Sequence, residues 1–158
     1  MSHVTVRRAE ARDAGAIAHV VKESWLASNA HLLPGDTAYA VAHGDKLAEV
    51  VAINWPSIWV AETDGIIIGT VGTNDHGHIW MLYVLPSHQG LGIGSALYSA
   101  AIDRLRKSGT RKAVLEVLAA NENAVAFYRS KGWVAEGRRT EHIPGFRFTA
   151  VRMGLALA

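Results

Sequence analysis

Apolar positions along this chain change period several times, and each change marks an element. Val4 to Arg8 alternates as a short strand does, whereas from Asp13 onward Ile17, Val20, Val21 and Trp25 recur at helical spacing on one face. Turn signals from His31 to Pro34-Gly35 follow. Ala38 to Ile53 then reads as a helix through Val41, Leu47, Val50 and Val51, and Trp55-Pro56 stops it. Ile58–Glu62 and Ile66–Thr73 flank Asp64-Gly65, the strongest short hairpin signal in the chain. Asn74-Asp75-His76-Gly77 turns into a third strand, His78–Leu85.

Beyond Leu85 the pattern becomes helical again over Ser95–Lys107, where Leu97, Tyr98, Ala101, Ile102 and Leu105 give an inward face and Ser108-Gly109 closes the element. Arg111–Leu118 is the next strand. A helix separates it from the strand ending at Leu85, so the two are expected to run parallel through a right-handed crossover. An Asn-capped turn and a short helix lead to a glycine stop at Gly132, and Trp133–Arg139 and Arg147–Leu155 pair around Pro144-Gly145. The pattern predicts an α/β fold in one domain, residues 1–158, with a mixed sheet that is mostly antiparallel.

Composition narrows the function classes. The 158 residues suffice for one core without staples, and the absence of cysteine excludes disulfides, thiolate metal sites and cysteine nucleophiles. The net charge of +2 is spread over short basic clusters such as Arg7-Arg8 and Arg138-Arg139, without the dense stripe of a nucleic-acid binder. No apolar run approaches the roughly 20 residues that cross a bilayer, and the N-terminus lacks a signal peptide's apolar core. A soluble, cytoplasmic protein without a nucleic-acid or membrane partner is the expectation.

The segment Gln89-Gly90-Leu91-Gly92-Ile93-Gly94-Ser95, between an apolar strand and an amphipathic helix, is suited to phosphate. Glycines let the backbone come close to a ligand, and the first helical turn adds unpaired N–H groups. No lysine follows Gly94, so a Walker A loop is excluded, and Ile93 alone between Gly92 and Gly94 does not match the dinucleotide fingerprint. What remains is Gln/Arg-x-x-Gly-x-Gly/Ala, met by Gln89, Gly92 and Gly94. A tight strand-to-helix turn with no ligand is the alternative for a bare glycine triplet. Downstream, a strand is followed by Asn121-x-x-Ala124, the aromatic pair Phe127-Tyr128, and Gly132-Trp133.

Two such motifs, in this order and at this separation, resemble the GCN5-related N-acetyltransferases, over about Trp59 to Trp133. The resemblance implies a three-layer sandwich whose central parallel strand pair splays apart, flanked by helices, with acetyl-CoA as co-substrate. It implies main-chain contacts to the pantetheine arm from Leu82, Tyr83 and Val84, and to the diphosphate from Gln89, Gly90, Leu91, Gly92, Ile93, Gly94 and Ser95. Asn121, Asn123 and Tyr128 complete the cofactor set. Tyr128 is the expected acid at the departing thiolate, its alternative being an amphipathic core residue. Asn121 as a plain N-cap competes with its cofactor role.

An alkylammonium near its reference pKa of ~10.4 must lose a proton before it attacks. Glu116 is the expected base, on the strand that leads into the Asn121 turn, and an ordinary surface glutamate is the alternative. His78, at the start of the cofactor strand, and a water chain are the other candidates; His76 and His88 fall in turns. A metal site on Asp75, His76 and His78 lacks a second ligand cluster, so none is expected. The tryptophans are core or pocket wall. By resemblance the acceptor side comes from about Trp25 to Asp36 and Glu141 to Phe148, for a small-molecule or peptide amine. Family analogy is compatible with a homodimer. The expected activity is direct acetyl transfer in a ternary complex; the alternatives are a non-catalytic acyl-CoA-binding sensor on the same fold and a nucleotide- or NAD-binding protein.

Overall fold

The computed structural model describes residues 3–35, 38, 46–143 and 146–157. Its elements are β1 (Thr5–Arg8), α1 (Ala14–Asn29), α2 (Lys46–Asn54), β2 (Ile58–Thr63), β3 (Ile66–Thr73), β4 (Ile79–Val84), α3 (Ile93–Lys107), β5 (Lys112–Leu118), α4 (Glu122–Ser130), β6 (Val134–Ile143) and β7 (Phe146–Ala156). The expected helix from Ala38 is described from Lys46 onward, and Val41 and the Pro144-Gly145 turn lie outside the described residues. Among those residues no helix is long and apolar enough to cross a membrane.

The β2–β3 hairpin forms where expected because Asp64 and Gly65 both adopt left-handed backbone, φ 52° and 77°, as the tight primed turn requires. β3 then runs buried at every position after Ile66, which the apolar run Ile67-Ile68 and the small residues after it permit. Helices cover it on both sides. On one side Ile17, Val20 and Val21 of α1 and Val51 of α2 pack on Ile58 and Val60. On the other, Leu97, Ala101 and Leu105 of α3 pack on Ile68, Val71 and Leu115. Leu97 is fully buried, so its truncation to alanine costs about 2–5 kcal/mol. The result is helix, sheet, helix.

The sheet departs from the single mixed sheet expected. Strands β1-β2-β3-β4 form one antiparallel sheet and β5-β7-β6 another. The two meet at an isolated parallel bridge between His78 and Val114, reinforced by the Val114 N–H donating to Gly77 O at 2.9 Å. Beyond that point β4 and β5 share no ladder. The physical reason lies on β4. Leu85 N–H donates to Ile68 O on β3, so strand alternation turns the main-chain groups of Leu82 and Val84 to the opposite edge. There the Val84 carbonyl is capped by Ser24 Oγ at 3.0 Å and Gln89 Nε2 at 3.1 Å instead of by β5.

Candidate active site

The glycine turn is held at both ends. Gln89 staples it to β4 through Val84, and buried Ile93 anchors the first turn of α3 in the core. Helix α3 starts two residues before the expected Ser95 because Gly92, at φ 82°, is its N-cap. The first intrahelical bond is Ala96 N–H to Gly92 O, which leaves the N–H groups of Ile93, Gly94 and Ser95 without partners among the described residues. Gly90 also has positive φ, 79°, and a Cβ built at Gly90 or Gly92 would meet nothing within 4 Å. That open space belongs to a cavity of about 630 Å³ over the turn, which His88, Asn123 and Phe127 also line. Leu91 is 69% exposed and lines neither this cavity nor the neighbouring one.

A second cavity, about 620 Å³, lies between the end of α1, strand β4 and the β5-β7-β6 sheet. The two share Ser28, Leu82, Val84, Gln89, Asn121, Ala124 and Tyr128, so they meet where β4 and β5 part. Tyr83 turns its main chain to Thr70 of β3 and its side chain into this second cavity, where burial pushes its phenol up to about 12.

Tyr128 stands at the junction. Its ring packs edge-on against Phe127 and Trp133, at 5.2 and 5.7 Å between centroids, and the residue is 8% exposed. Trp133 is itself held by its indole N–H donating to the Tyr98 hydroxyl at 2.9 Å. Among the described residues the Tyr128 hydroxyl has no hydrogen-bond partner. Burial, followed by the neighbouring phenols of Tyr83 and Tyr98, holds its pKa above the ordinary tyrosine value, so it stays protonated.

Asn121 caps α4, its Oδ1 accepting from Ala124 N–H at 3.2 Å, while its Nδ2 donates to Asn29 Oδ1 at 3.2 Å. Asn29, 4% exposed at the end of α1, donates in turn to Trp25 O at 3.0 Å. The capping role thus uses the oxygen of Asn121, and one amide hydrogen is left for the cavity.

Glu116 faces the second cavity from β5. Its Oε2 lies 2.6 Å from His78 Nε2, across the bridge that joins the sheets, and its Oε1 lies 3.5 Å from Arg139 Nη1 and 3.9 Å from Arg152 Nη1. Arg139 also stands 3.4 Å from Glu141, and Arg152 3.9 Å from Glu136, which Lys112 contacts at 2.5 Å. Charges therefore alternate over this sheet face. Among the described residues no group of three His, Asp or Glu side chains could hold a metal ion.

Of the two segments expected on the acceptor side, Trp25, Ser28, Asn29, Glu141 and Phe148 line the cavity, and Asp36 lies outside the described residues. Sequence reasoning missed Ser24 and Arg139. No local signal marked Arg139, which shares a face with Glu141 only because β6 continues past it by pairing with β7.

Known proteins of similar sequence and shape include the uncharacterized N-acetyltransferase YjgM of Escherichia coli, 28% identical over 137 residues that cover 81% of this chain and 80% of that protein. Of other relatives the chain spans less, 41% of one and 24% of another. A crystal structure of a GCN5-related N-acetyltransferase from Rhodopseudomonas palustris superposes with a TM-score of 0.85 at 23% identity, covering 99% of this chain and 97% of that one. The PaiA N-acetyltransferase of Thermoplasma acidophilum, solved in complex with coenzyme A, gives 0.76 at 19%, covering 98% and 99%. These structural likenesses are likenesses of fold. The model of the acetyltransferase (GNAT) family matches residues 21–133, the stretch that holds the glycine turn, Glu116 and Tyr128, and the chain belongs to that family.

Proposed function

We propose that this chain is an N-acetyltransferase that moves the acetyl group of acetyl-CoA to a primary amine by direct attack in a ternary complex. The observation that carries the reading is one continuous cleft, with an anion cradle at one end, a protonated phenol at its middle and a carboxylate–imidazole pair on the far wall.

The residues fit coenzyme A. The space that a Cβ at Gly90 or Gly92 would enter is open, and three free amides of α3 point into that region, which suits a diphosphate. The edge of β4 away from β3 offers the main-chain groups of Leu82 and the N–H of Val84, whose carbonyl Ser24 and Gln89 already occupy, to an amide-bearing arm, with Asn123 and the spare amide hydrogen of Asn121 beside it. Bound there, acetyl-CoA supplies an activated acyl group as a thioester.

The chain's own groups supply the rest. Glu116, paired with His78, takes the proton that the acceptor ammonium must lose. Tyr128 Oη, raised in pKa and without a hydrogen-bond partner among the described residues, donates a hydrogen bond where negative charge develops on sulfur. A chain without cysteine has no thiol to carry the acyl group, which favours direct transfer.

A calorimetric titration with coenzyme A and a thiol-release assay with acetyl-CoA over a broad amine panel test the reading. Binding and turnover are expected; no heat with coenzyme A would overturn it.

A further inference from the structure

We propose that the acceptor is a free α-amino acid with a bulky apolar side chain, its ammonium on Glu116 and its carboxylate on Arg139. This rests on the acetyl-transfer reading and names the substrate class of the same site.

Arg139 lies on edge strand β6, opposite Ala150 of β7, which in turn pairs Leu118 of β5; Glu116, two residues back from Leu118, shares that sheet face. Both side chains line the cavity on the acceptor side. The contacts from Arg139 to Glu116 and Glu141, 3.5 and 3.4 Å, exceed the ~2.7–2.9 Å of a charge-assisted hydrogen bond. Its guanidinium accordingly makes no hydrogen bond among the described residues. This planar fork of donors, within ion-pair range of Glu116 and Glu141 but hydrogen-bonded to neither, lines the cavity next to the residue proposed to receive the amine and suits a substrate carboxylate.

The order of charges selects among amines. Along this wall it runs Glu116, Arg139, Glu141, negative, positive, negative. A diamine that reached both carboxylates would lay its chain across a cation. A plain amine would make no contact that uses the charge of Arg139. In an α-amino acid the ammonium and carboxylate are one carbon apart, as Glu116 and Arg139 are neighbours, so the zwitterion matches them head to tail. In a peptide that carboxylate is an amide, and the match is lost.

Aromatic rings contribute to the remaining wall. Trp25, Trp80, Tyr83 and Phe148 line the cavity, and the Trp80 indole is fixed by its N–H donating to Thr73 O at 3.1 Å. Such a wall suits a bulky apolar side chain.

The test compares L-phenylalanine, L-phenylalaninamide, phenethylamine and putrescine as acceptors at saturating acetyl-CoA. L-phenylalanine is expected to exceed the other three in kcat/KM by at least about tenfold, with Arg139→Gln removing the preference through KM while kcat changes little. Arg138→Gln, on the opposite face of β6, should change neither constant. An amide, amine or diamine used as well as the amino acid, or a preference that survives Arg139→Gln, would overturn the proposal. If coenzyme A binds and no amine of any class is acetylated, the acetyl-transfer reading itself falls, and the substrate class with it.

Discussion

His78 Nε2 lies 2.6 Å from Glu116 Oε2, and the contact spans the place where the two antiparallel sheets touch. Neither residue is near the other in sequence; a single parallel bridge from His78 to Val114 brings them together. In the proposed mechanism the two act together as one proton acceptor. Glu116→Gln and His78→Asn should each lower kcat by about 10²–10⁴ at neutral pH, and the double variant should be little worse than the poorer single one. The deficits should narrow as pH rises toward the ~10.4 of a free alkylamine, where more acceptor arrives already deprotonated. Full additivity in steady-state rates would separate the two residues.

Tyr128, the proposed acid, is easier to isolate, because its ring is fixed independently of its hydroxyl by Phe127 and Trp133. Tyr128→Phe keeps that packing. It should reduce kcat about 10²-fold while the calorimetric affinity for coenzyme A stays within a factor of about three, since the hydroxyl acts on developing charge. An unchanged kcat would remove the acid role.

Legibility in the sequence followed the range of the forces involved. The Asp64-Gly65 hairpin, the inward face of α3 and the Asn121 cap were readable because each rests on a backbone preference or on a period within a few residues. The extension of β6 to Ile143 was not, since Arg138 to Glu141 carry no apolar alternation and the strand forms by pairing with β7. The same limit applies to the site. Tyr128 and Glu116 stood inside motifs, whereas the Asn29 contact to Asn121 spans 92 positions and leaves no local signature. The division into two sheets was equally hidden, because it depends on Ser24 and Gln89 capping the Val84 carbonyl.

Gly92 tests the cradle. A side chain there strains the backbone at φ 82° and enters the open space proposed for the diphosphate. Gly92→Val should weaken coenzyme A binding at least tenfold in calorimetry, at a stability cost of about 1–3 kcal/mol. Ile53, exposed on α2, provides the comparison: Ile53→Ala should leave affinity unchanged. Retained affinity in Gly92→Val would place the anion elsewhere.

Alkaline titration follows from the buried phenols. With Tyr83 raised to about 12 and Tyr128 also raised by burial, both stay protonated when an ordinary tyrosine, near 10.0, ionises. An unfolded chain releases those protons first. Their contribution to stability is thus complete below pH 10 and is lost as pH climbs through the folded values. Ultraviolet difference titration should show the ionisation of these two lagging, and Tyr83→Phe should flatten the fall in stability between pH 10 and 12. Simultaneous titration of all tyrosines near 10 in the folded protein would contradict the burial.

At the other end of the pH scale the anchor of β1 is the sensitive point. Asp13, 6% exposed, accepts from Arg7 at 2.8 and 3.2 Å and from Glu10 N–H at 2.7 Å, and Arg7 also reaches Glu62 on β2 at 3.1 Å. The Arg7 hydrogen bonds hold the Asp13 carboxyl below its ordinary value of 3.8, outweighing burial, which acts in the opposite direction. A depressed folded pKa stabilises the fold above the unfolded value, and that contribution disappears as pH falls through the folded one. Asp13→Asn should therefore cost about 1–3 kcal/mol in urea denaturation at neutral pH, since the donors of Arg7 and Glu10 lose their charged, buried acceptor. The gap between wild type and variant should begin to close as pH falls below about 4, where the unfolded chain takes up the proton, and finish closing below the lower folded value. A gap of constant size from neutral to acid pH would mean that shape, and not charge, is what Asp13 contributes.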